Sequence, residues 1–256
     1  MIDPIFSILY ETGDKVIHTG TGFLVYQNGL FITTGHTFRE KKKKNSNLSV
    51  NDFRALFFDS GKPVIFEFKE LYFKSLELED EYNKVNVQRG PEYYDIAIGK
   101  ININNENYLI LDRRKPKTQK RLEIKGLYSR NEKGNNYGKN FEQLVELDKI
   151  TFNSIKMNLK QHEALITKNK EYYNKLQEND KKKHFFNNCM TLDRRLNDAH
   201  GASGCPVLDQ GRVVGILIGA PGEEEQTHIL SAKYCSKSIQ HKSPYLYEPF
   251  EYLSVD

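Results

Sequence analysis

Three short segments of the chain carry side chains that together could perform acyl-transfer chemistry. The segment TTGH ends at His36, DIAI begins at Asp95, and GASGCPV surrounds Ser203. A serine hydroxyl becomes a good nucleophile when a base within hydrogen-bond reach removes its proton, and histidine suits that task because its free pKa of ~6.5 lies near neutrality. A buried carboxylate fixes the tautomer of the imidazole. Each segment alone is a weak signal, but the three together predict a nucleophilic site.

Each of these segments falls at the boundary of a predicted strand. An Asn-Gly pair at Asn28 separates strand-like runs over 16–25 and 30–34, which is a strong hairpin signal. A second hairpin is predicted over 53–68. Further strands are predicted over 122–127, 205–208 and 212–218. Many short strands with turn signals predict a β sandwich or barrel, and the break near residue 105 predicts two barrels or lobes.

The middle of the chain has a different pattern. From residue 155 to 183 it is highly charged and contains neither Gly nor Pro. Apolar residues such as Leu159, Leu165, Tyr172 and Leu176 recur there at loosely helical spacing. This spacing predicts a surface helix or helical hairpin over about 155–184, inserted in the second lobe.

The composition excludes several classes of protein. The 256 residues carry a net charge of +4 with a mean hydropathy of −0.67, and 15 Phe with 15 Tyr supply apolar faces for a core. No apolar run reaches the ~18 residues of a membrane span, and the first residues lack the features of a secretory signal. The three cysteines have neither metal-ligand spacing nor the pattern of a disulfide framework. We therefore expect a cytoplasmic location, no membrane partner and no metal.

Two basic runs, Lys41–Lys44 and Lys181–Lys183, raise the question of a nucleic-acid partner. Runs of like charge are usually solvated loops, and nucleic-acid binding usually needs basic charge gathered into one patch. The mild overall charge does not indicate such a patch, so we expect no nucleic-acid partner.

The order His, Asp, Ser and the sequences around these residues resemble the chymotrypsin/trypsin-like serine peptidases. GTGFLV from Gly20 resembles the GSGF hairpin of that family, and TTGH resembles its TAAH. DIA from Asp95 matches its DIA, GASGCPV resembles GDSGGPV, and GRVVGI from Gly211 resembles the strand that follows the serine. The likeness covers most of residues 5–100 and 185–220. Within the family, the sequence resembles the compact bacterial and HtrA-like peptidases more than the digestive enzymes.

The resemblance implies a mainly β, chymotrypsin-like fold of two six-stranded antiparallel β-barrels, with the helical insertion in the second barrel. Residues 1–105 would form the N-terminal barrel and carry His36 and Asp95. Residues 106–256 would form the C-terminal barrel and carry Ser203.

The resemblance also implies roles for individual residues. His36 would be the general base, Asp95 would orient it, and Ser203 would be the nucleophile. The backbone N–H groups of Gly201 and Ser203 would form the oxyanion hole, and no cofactor is implied. Ala202 replaces the acidic residue that pairs with a freed N-terminus in zymogen-type members, so we do not expect activation through that ion pair.

Two further positions depart from the pattern of the family. Cys205 replaces the second glycine after the serine, and Ile218 stands where many relatives carry a serine that hydrogen-bonds the aspartate. The residues implied to line the primary substrate pocket are Asn197, Ile218, Gly219 and Ala220. Because Asn197 is neutral, a strong preference for Lys or Arg substrates is not implied. The nearby Asp193 and Asp198 are either solvated loop residues, which we favour, or a source of negative charge in the pocket.

Two functions from different classes follow from the resemblance. The first is a serine endopeptidase that acts on a protein or peptide substrate through an acyl-enzyme. Analogy extends it to regulated effector proteases of bacterial antiviral defence, which a sensor protein would activate as a partner. The second is a catalytically weak or inactive peptidase-like scaffold that binds peptides or a protein partner, a hypothesis motivated by the missing support at Asp95.

Overall fold

The architecture comes from a computed structural model of the chain. It describes residues 1–13, 15–39, 50–73, 95–117, 119–128, 137–144, 150–160, 189–194, 196, 201–219 and 227–246. The basic runs at 41–44 and 181–183 and the larger part of the predicted helical insertion lie outside the described residues.

Six antiparallel strands close the first barrel in the order β1-β2-β3-β6-β5-β4. They are β1 (Ile5–Thr12), β2 (Lys15–Leu24), β3 (Leu30–Thr33), β4 (Phe53–Asp59), β5 (Lys62–Phe73) and β6 (Ala97–Ile101). Aromatic side chains fill its centre, where the Phe6 ring lies 4.7 Å from Phe57, 5.4 Å from Phe31 and 6.2 Å from Phe68 between centroids. Each fully buried Phe contributes about 1.5–3 kcal/mol by leaving water, so the burial of these rings stabilises the barrel.

Two tight turns of this barrel confirm the predicted hairpins. Gly29 joins β2 to β3 with φ +86°, and a Cβ atom there would lie 2.1 Å from the carbonyl oxygen of Ile101. Ser60 and Gly61 join β4 to β5 with φ values of +50° and +82°. Positive φ at both central residues matches the twist of a two-residue hairpin, which explains the Ser-Gly pair at this turn.

Six further antiparallel strands close the second barrel in the order β10-β11-β12-β9-β8-β7. They are β7 (Arg121–Tyr128), β8 (Thr151–Lys160), β9 (Cys189–Leu192), β10 (Pro206–Asp209), β11 (Arg212–Gly219) and β12 (His228–Ser231). The predicted strands over 122–127, 205–208 and 212–218 correspond to β7, β10 and β11, which confirms them. The boundary near residue 105 falls in the connection between β6 and β7.

The predicted start of the helical insertion is wrong. Residues 155–160 continue β8, which pairs antiparallel with β7 along Ile124↔Ile155 and Arg121↔Asn158. Side chains along β8 alternate in exposure, with Met157 buried between the exposed Lys156 and Asn158. This period of two, rather than the helical spacing that begins at Leu159, decides the structure of the segment.

A helix and a connecting segment bind the two barrels together. Helix α2 (Ala232–Leu246) places Cys235 and Ile239 in an apolar cluster with residues of both barrels, including Phe23 and Ile216. The segment between β6 and β7 pairs with both barrels, because Leu109 N–H donates to Leu24 and Asp112 N–H donates to Val213. None of the helices in the described part of the chain has the length and apolar character of a membrane span.

Candidate active site

His36 and Asp95 are brought together by the pairing of β3 with β6. Thr33 at the end of β3 pairs with Ala97 at the start of β6. His36 begins the short helix α1 (His36–Arg39) just after β3, and Asp95 lies just before β6. Because antiparallel strands place the end of one beside the start of the next, both residues lie at the same edge of the first barrel.

Asp95 contacts His36 at two points. Its Oδ1 accepts the backbone N–H of His36 at 2.7 Å, and its Oδ2 is hydrogen-bonded to Nδ1 of the imidazole. The carboxylate is fully buried, whereas the His36 side chain is 25% exposed. When Nδ1–H donates to the carboxylate, Nε2 is left as the acceptor, which is the tautomer that a general base requires.

Ser203 lies in a tight turn that precedes β10 in the second barrel. Cys205 N–H donates to the Ala202 carbonyl at 3.0 Å, which closes the turn around Ser203. Gly201 and Gly204 flank it with φ values of +84° and +86°. These values favour glycine, which explains the residue type on each side of the half-buried serine.

Gly20 of β2 lies between the His36 segment and the Ser203 turn. A Cβ atom at Gly20 would lie 2.6 Å from Oγ1 and Cγ2 of Thr37, and 3.2 Å from the carbonyl oxygen of Ser203. The residue after His36 and the peptide of Ser203 therefore pack against the same α carbon. In this way β2 brings the Ser203 turn of the second barrel beside the His36–Asp95 pair of the first.

The Ser203 turn also contacts the end of β3. Thr33 Oγ1 donates to the Thr21 carbonyl at 2.6 Å, and a Cβ atom at Gly204 would lie 2.2 Å from Thr33 Oγ1 and 2.0 Å from the Thr21 carbonyl oxygen. Thr33 precedes His36 by one short turn. The close fit at Gly204 is therefore a second contact that fixes Ser203 relative to His36.

The backbone N–H groups predicted for the oxyanion hole belong to this turn. Within the described part of the chain, neither the Gly201 N–H nor the Ser203 N–H donates a hydrogen bond to a backbone carbonyl. An oxyanion hole needs N–H groups that are not bonded to the surrounding backbone, and the assignment of these two groups to such a hole stays a prediction.

Solved structures provide the comparison with known proteins. No family model matches the chain, and no curated protein matches it by sequence. The scabies mite inactivated protease paralogue S-D1 aligns with TM-score 0.61 at 12% identity, over 98% of this chain and 94% of the other. The chain has the chymotrypsin fold.

Other solved structures agree with this fold. The scabies mite inactivated protease paralogue S-I1 aligns with TM-score 0.61 at 13% identity, over 94% of both chains. Neuropsin, a serine protease expressed in the limbic system of mouse brain, aligns with TM-score 0.60 at 11% identity, over 93% of both chains. The two closed barrels and these alignments confirm the predicted chymotrypsin-like fold of two six-stranded barrels.

Two residues that depart from the chymotrypsin-fold pattern are packed in the core of the second barrel. Ala202 is 3% exposed and belongs to an apolar cluster that also contains Cys205 and Val214. A Cβ atom at Gly126 would lie 2.0 Å from Sγ of Cys205, so Gly126 provides the room for the thiol. Burial raises the pKa of the Cys205 thiol to about 12, and the neighbouring Thr21 hydroxyl offsets only part of that rise. The thiol therefore stays protonated at neutral pH.

The predicted substrate-pocket residues fall partly outside the described residues, as Asn197 and Ala220 do. Ile218 is 7% exposed and belongs to the same apolar cluster as Ile96, the neighbour of Asp95. Gly219 has φ +128°, and a Cβ atom there would meet no atom of the described residues within 4 Å. The assignment of this wall to a substrate pocket stays a prediction.

The sequence reasoning missed two residues that contact the Ser203 turn. Thr21 N–H donates to the Ser203 carbonyl at 2.8 Å, and its hydroxyl lies 2.8 Å from the Gly201 carbonyl. The His18 ring lies over Gly201, where a Cβ atom would be 2.2 Å from His18 Cε1. Both residues belong to the strand identified by its GTGF sequence, and the hydroxyl between two glycines was the available signal for Thr21.

Proposed function

We propose that the protein is a serine endopeptidase that hydrolyses peptide bonds through an acyl-enzyme. Ser203 is the nucleophile, His36 the general base, and Asp95 the carboxylate that orients His36. The observation that carries this proposal is the double contact of Asp95 with the backbone N–H and the Nδ1 of His36. That arrangement holds the imidazole with its other nitrogen as a proton acceptor, beside the turn that carries Ser203.

In the acylation step, Ser203 Oγ attacks the carbonyl carbon of the scissile peptide while His36 Nε2 takes the hydroxyl proton. The carbonyl oxygen becomes an oxyanion, to which the N–H groups of Gly201 and Ser203 donate. When the intermediate collapses, the C–N bond breaks and His36 gives its proton to the leaving amine. The products are an ester at Ser203 and a free amine.

In the deacylation step, water attacks the ester carbon and gives a proton to His36. The second tetrahedral intermediate is held by the same N–H groups and collapses to a carboxylic acid. His36 then returns the proton to Ser203, so the enzyme is regenerated. Removal of one oxyanion donor typically costs about 2.7–4 kcal/mol of transition-state stabilisation, which makes the geometry of the Ser203 turn as important as the nucleophile.

The finer parts of the proposal concern location and regulation. A cytoplasmic location is supported by the three cysteines, which are all free and buried. A role as a regulated effector of antiviral defence, activated by a sensor protein, rests on the resemblance in sequence. Ile218 and Gly219 would form part of the pocket that receives the side chain preceding the scissile bond; Asn197 and Ala220, predicted for the same pocket, lie outside the described residues.

A peptidase-like scaffold without turnover is the second candidate, and one observation favours it. Ile218 offers no hydroxyl to Asp95, so the carboxylate lacks a hydrogen bond that it has in many relatives. Two of the similar structures are inactivated protease paralogues. A scaffold of this kind would bind peptides at the same cleft and leave them intact.

A fluorophosphonate probe tests the proposal, because it reacts with an activated serine. The wild type is expected to be labelled at Ser203, and Ser203→Ala is expected to abolish labelling. Ser154→Ala is the matched control, since Ser154 lies exposed on β8 and contacts Glu123, far along the sequence from the site. Labelling that survives in Ser203→Ala would contradict the assignment. A folded wild type that neither reacts with the probe nor cleaves a peptide library would favour the scaffold.

A further inference from the structure

Thr21 of β2 contacts the Ser203 turn through both its hydroxyl and its backbone N–H. The side chain is fully buried between the two barrels. Its hydroxyl lies 2.8 Å from the carbonyl oxygens of both Leu127 and Gly201, and its N–H donates to the Ser203 carbonyl at 2.8 Å. A hydroxyl carries one proton, so the two carbonyl oxygens share Thr21 as their donor.

These contacts hold the peptide units on both sides of the one that carries the Ser203 N–H. The Gly201 carbonyl belongs to the peptide that precedes it, and the Ser203 carbonyl belongs to the peptide that follows it. When both neighbouring carbonyls are directed to Thr21, the intervening peptide plane has little freedom to rotate. The direction of the Ser203 N–H is therefore fixed from the first barrel.

His18 supports the same turn from the same strand. Its Nε2–H donates to the Gly20 carbonyl at 2.7 Å, and its ring stacks edge-on to Tyr137 with 6.4 Å between centroids. With the ring held in this way, a Cβ atom at Gly201 would lie 2.2–2.6 Å from three of its atoms. The ring thus limits movement of Gly201, the other predicted oxyanion donor.

We propose that Thr21 is a positioning residue for the oxyanion hole, which it orients through hydrogen bonds to the carbonyls of Gly201 and Ser203. This inference rests on the proposed function and names the residue that prepares its oxyanion hole. Thr21 and His18 belong to the first barrel, whereas the oxyanion donors belong to the second. The hydroxyl therefore couples the relative position of the barrels to the geometry of catalysis.

The test compares three variants on one strand. Thr21→Val removes the hydroxyl with little change in shape, and Thr21→Ser keeps it. Thr19→Val is the matched control, because its hydroxyl donates to the Ile8 carbonyl at 3.2 Å within the first barrel, away from the Ser203 turn. Correct folding of each variant is checked by its unfolding midpoint.

For Thr21→Val we expect kcat to fall roughly 10–100-fold while KM changes less than threefold, because loss of an oxyanion donor outright costs about 10²–10³-fold in kcat. Affinity for a peptide boronic acid, which mimics the tetrahedral state, is expected to fall with kcat. Thr21→Ser is expected to recover most of both, and Thr19→Val to resemble the wild type. If Thr21→Val has wild-type kcat and boronate affinity, or lowers them no more than Thr19→Val, Thr21 has no positioning role.

Amide hydrogen exchange tests the positioning role of Thr21 independently of catalytic turnover. The Gly204 and Cys205 N–H groups donate to the Leu217 and Ala202 carbonyls and so report the order of the turn. Thr21→Val is expected to speed their exchange at least tenfold, and Thr19→Val to leave it unchanged. Equal protection in the two variants would overturn the positioning role. A wild type without turnover would defeat the proposed function, while the exchange experiment still gives its own answer on Thr21.

Discussion

Substitution of Gly20 by Ala tests whether β2 is the surface on which both halves of the site pack. The added methyl group would lie 2.6 Å from two atoms of the Thr37 side chain and 3.2 Å from the Ser203 carbonyl oxygen. The first distance is well inside van der Waals contact. Either Thr37 must move and carry His36 with it, or β2 must withdraw from the Ser203 turn.

The magnitude follows from two opposing effects. Overpacking in a well-packed core typically costs about 1–3 kcal/mol. Replacement of a strand glycine by alanine returns about 0.5–1 kcal/mol through the entropy of the unfolded chain. We therefore expect Gly20→Ala to lower the free energy of unfolding by about 1–2 kcal/mol, measured by urea denaturation.

A double-mutant cycle with Thr37→Ala isolates the clash. Both close atoms, Oγ1 and Cγ2, belong to Thr37 and are removed by this substitution. Thr37→Ala alone is expected to destabilise the protein, since it loses the hydrogen bond to Thr34 Oγ1 at 2.8 Å. In Gly20→Ala with Thr37→Ala, the methyl group gains room, and we expect a favourable coupling of about 1–2 kcal/mol. Coupling below about 0.3 kcal/mol, which is the range for independent sites, would refute the packing argument.

Three further results are expected. Asp95→Asn should lower kcat about 10⁴-fold in a peptide-cleavage assay, because an amide that donates to His36 Nδ1 leaves Nε2 protonated; a loss below tenfold would contradict the role of Asp95. Iodoacetamide at pH 8 should modify none of the buried cysteines in the native protein and all three after unfolding, as mass spectrometry would record, because burial raises their pKa values, that of Cys205 to about 12. The Arg114 guanidinium holds the pKa of Asp112 below its ordinary value of 3.8, so Asp112 stabilises the fold above that pH and the contribution is lost as the pH falls through the lowered pKa. The unfolding midpoint of Asp112→Asn should therefore lie below that of the wild type at pH 7, and the difference should shrink as the pH falls below 3.8; a difference that stays constant over this range would count against this linkage.

The fold could be predicted to a large extent from the sequence, because its signals are local. The Asn-Gly pair before β3 and the turn around Gly61 specify hairpins whatever the rest of the chain does. The predicted insertion starts at residue 155, but its helical spacing begins only at Leu159. The residues before Leu159 alternate in exposure as part of strand β8. Helix α2 was missed because its position depends on an apolar cluster contributed by both barrels.

The candidate site could be predicted in part, for a similar reason. His36, Asp95 and Ser203 stand in short motifs that can be read one at a time, and the pairing of β3 with β6 accounts for the first two. The roles of Thr21 and His18 cannot be predicted from a short motif. Their contacts join residues about 180 positions apart in the chain, as from Thr21 to Gly201, and they exist only once the two barrels have met.

Cys205 stands where the family pattern has a glycine, and it shows how contacts between residues far apart in the chain constrain the sequence around Ser203. A thiol at this position needs space, and the space is provided by Gly126 on the neighbouring β7, where a Cβ atom would lie 2.0 Å from Sγ. Gly126→Ala is therefore incompatible with Cys205 unless β7 moves away from the turn that follows Ser203. The same reasoning applies to Gly204 against Thr33 and to Gly20 against Thr37. At each contact one of the two residues is a glycine, so the other residue can approach closely. The position of Ser203 therefore depends on these close contacts as well as on the hydrogen bonds of Thr21.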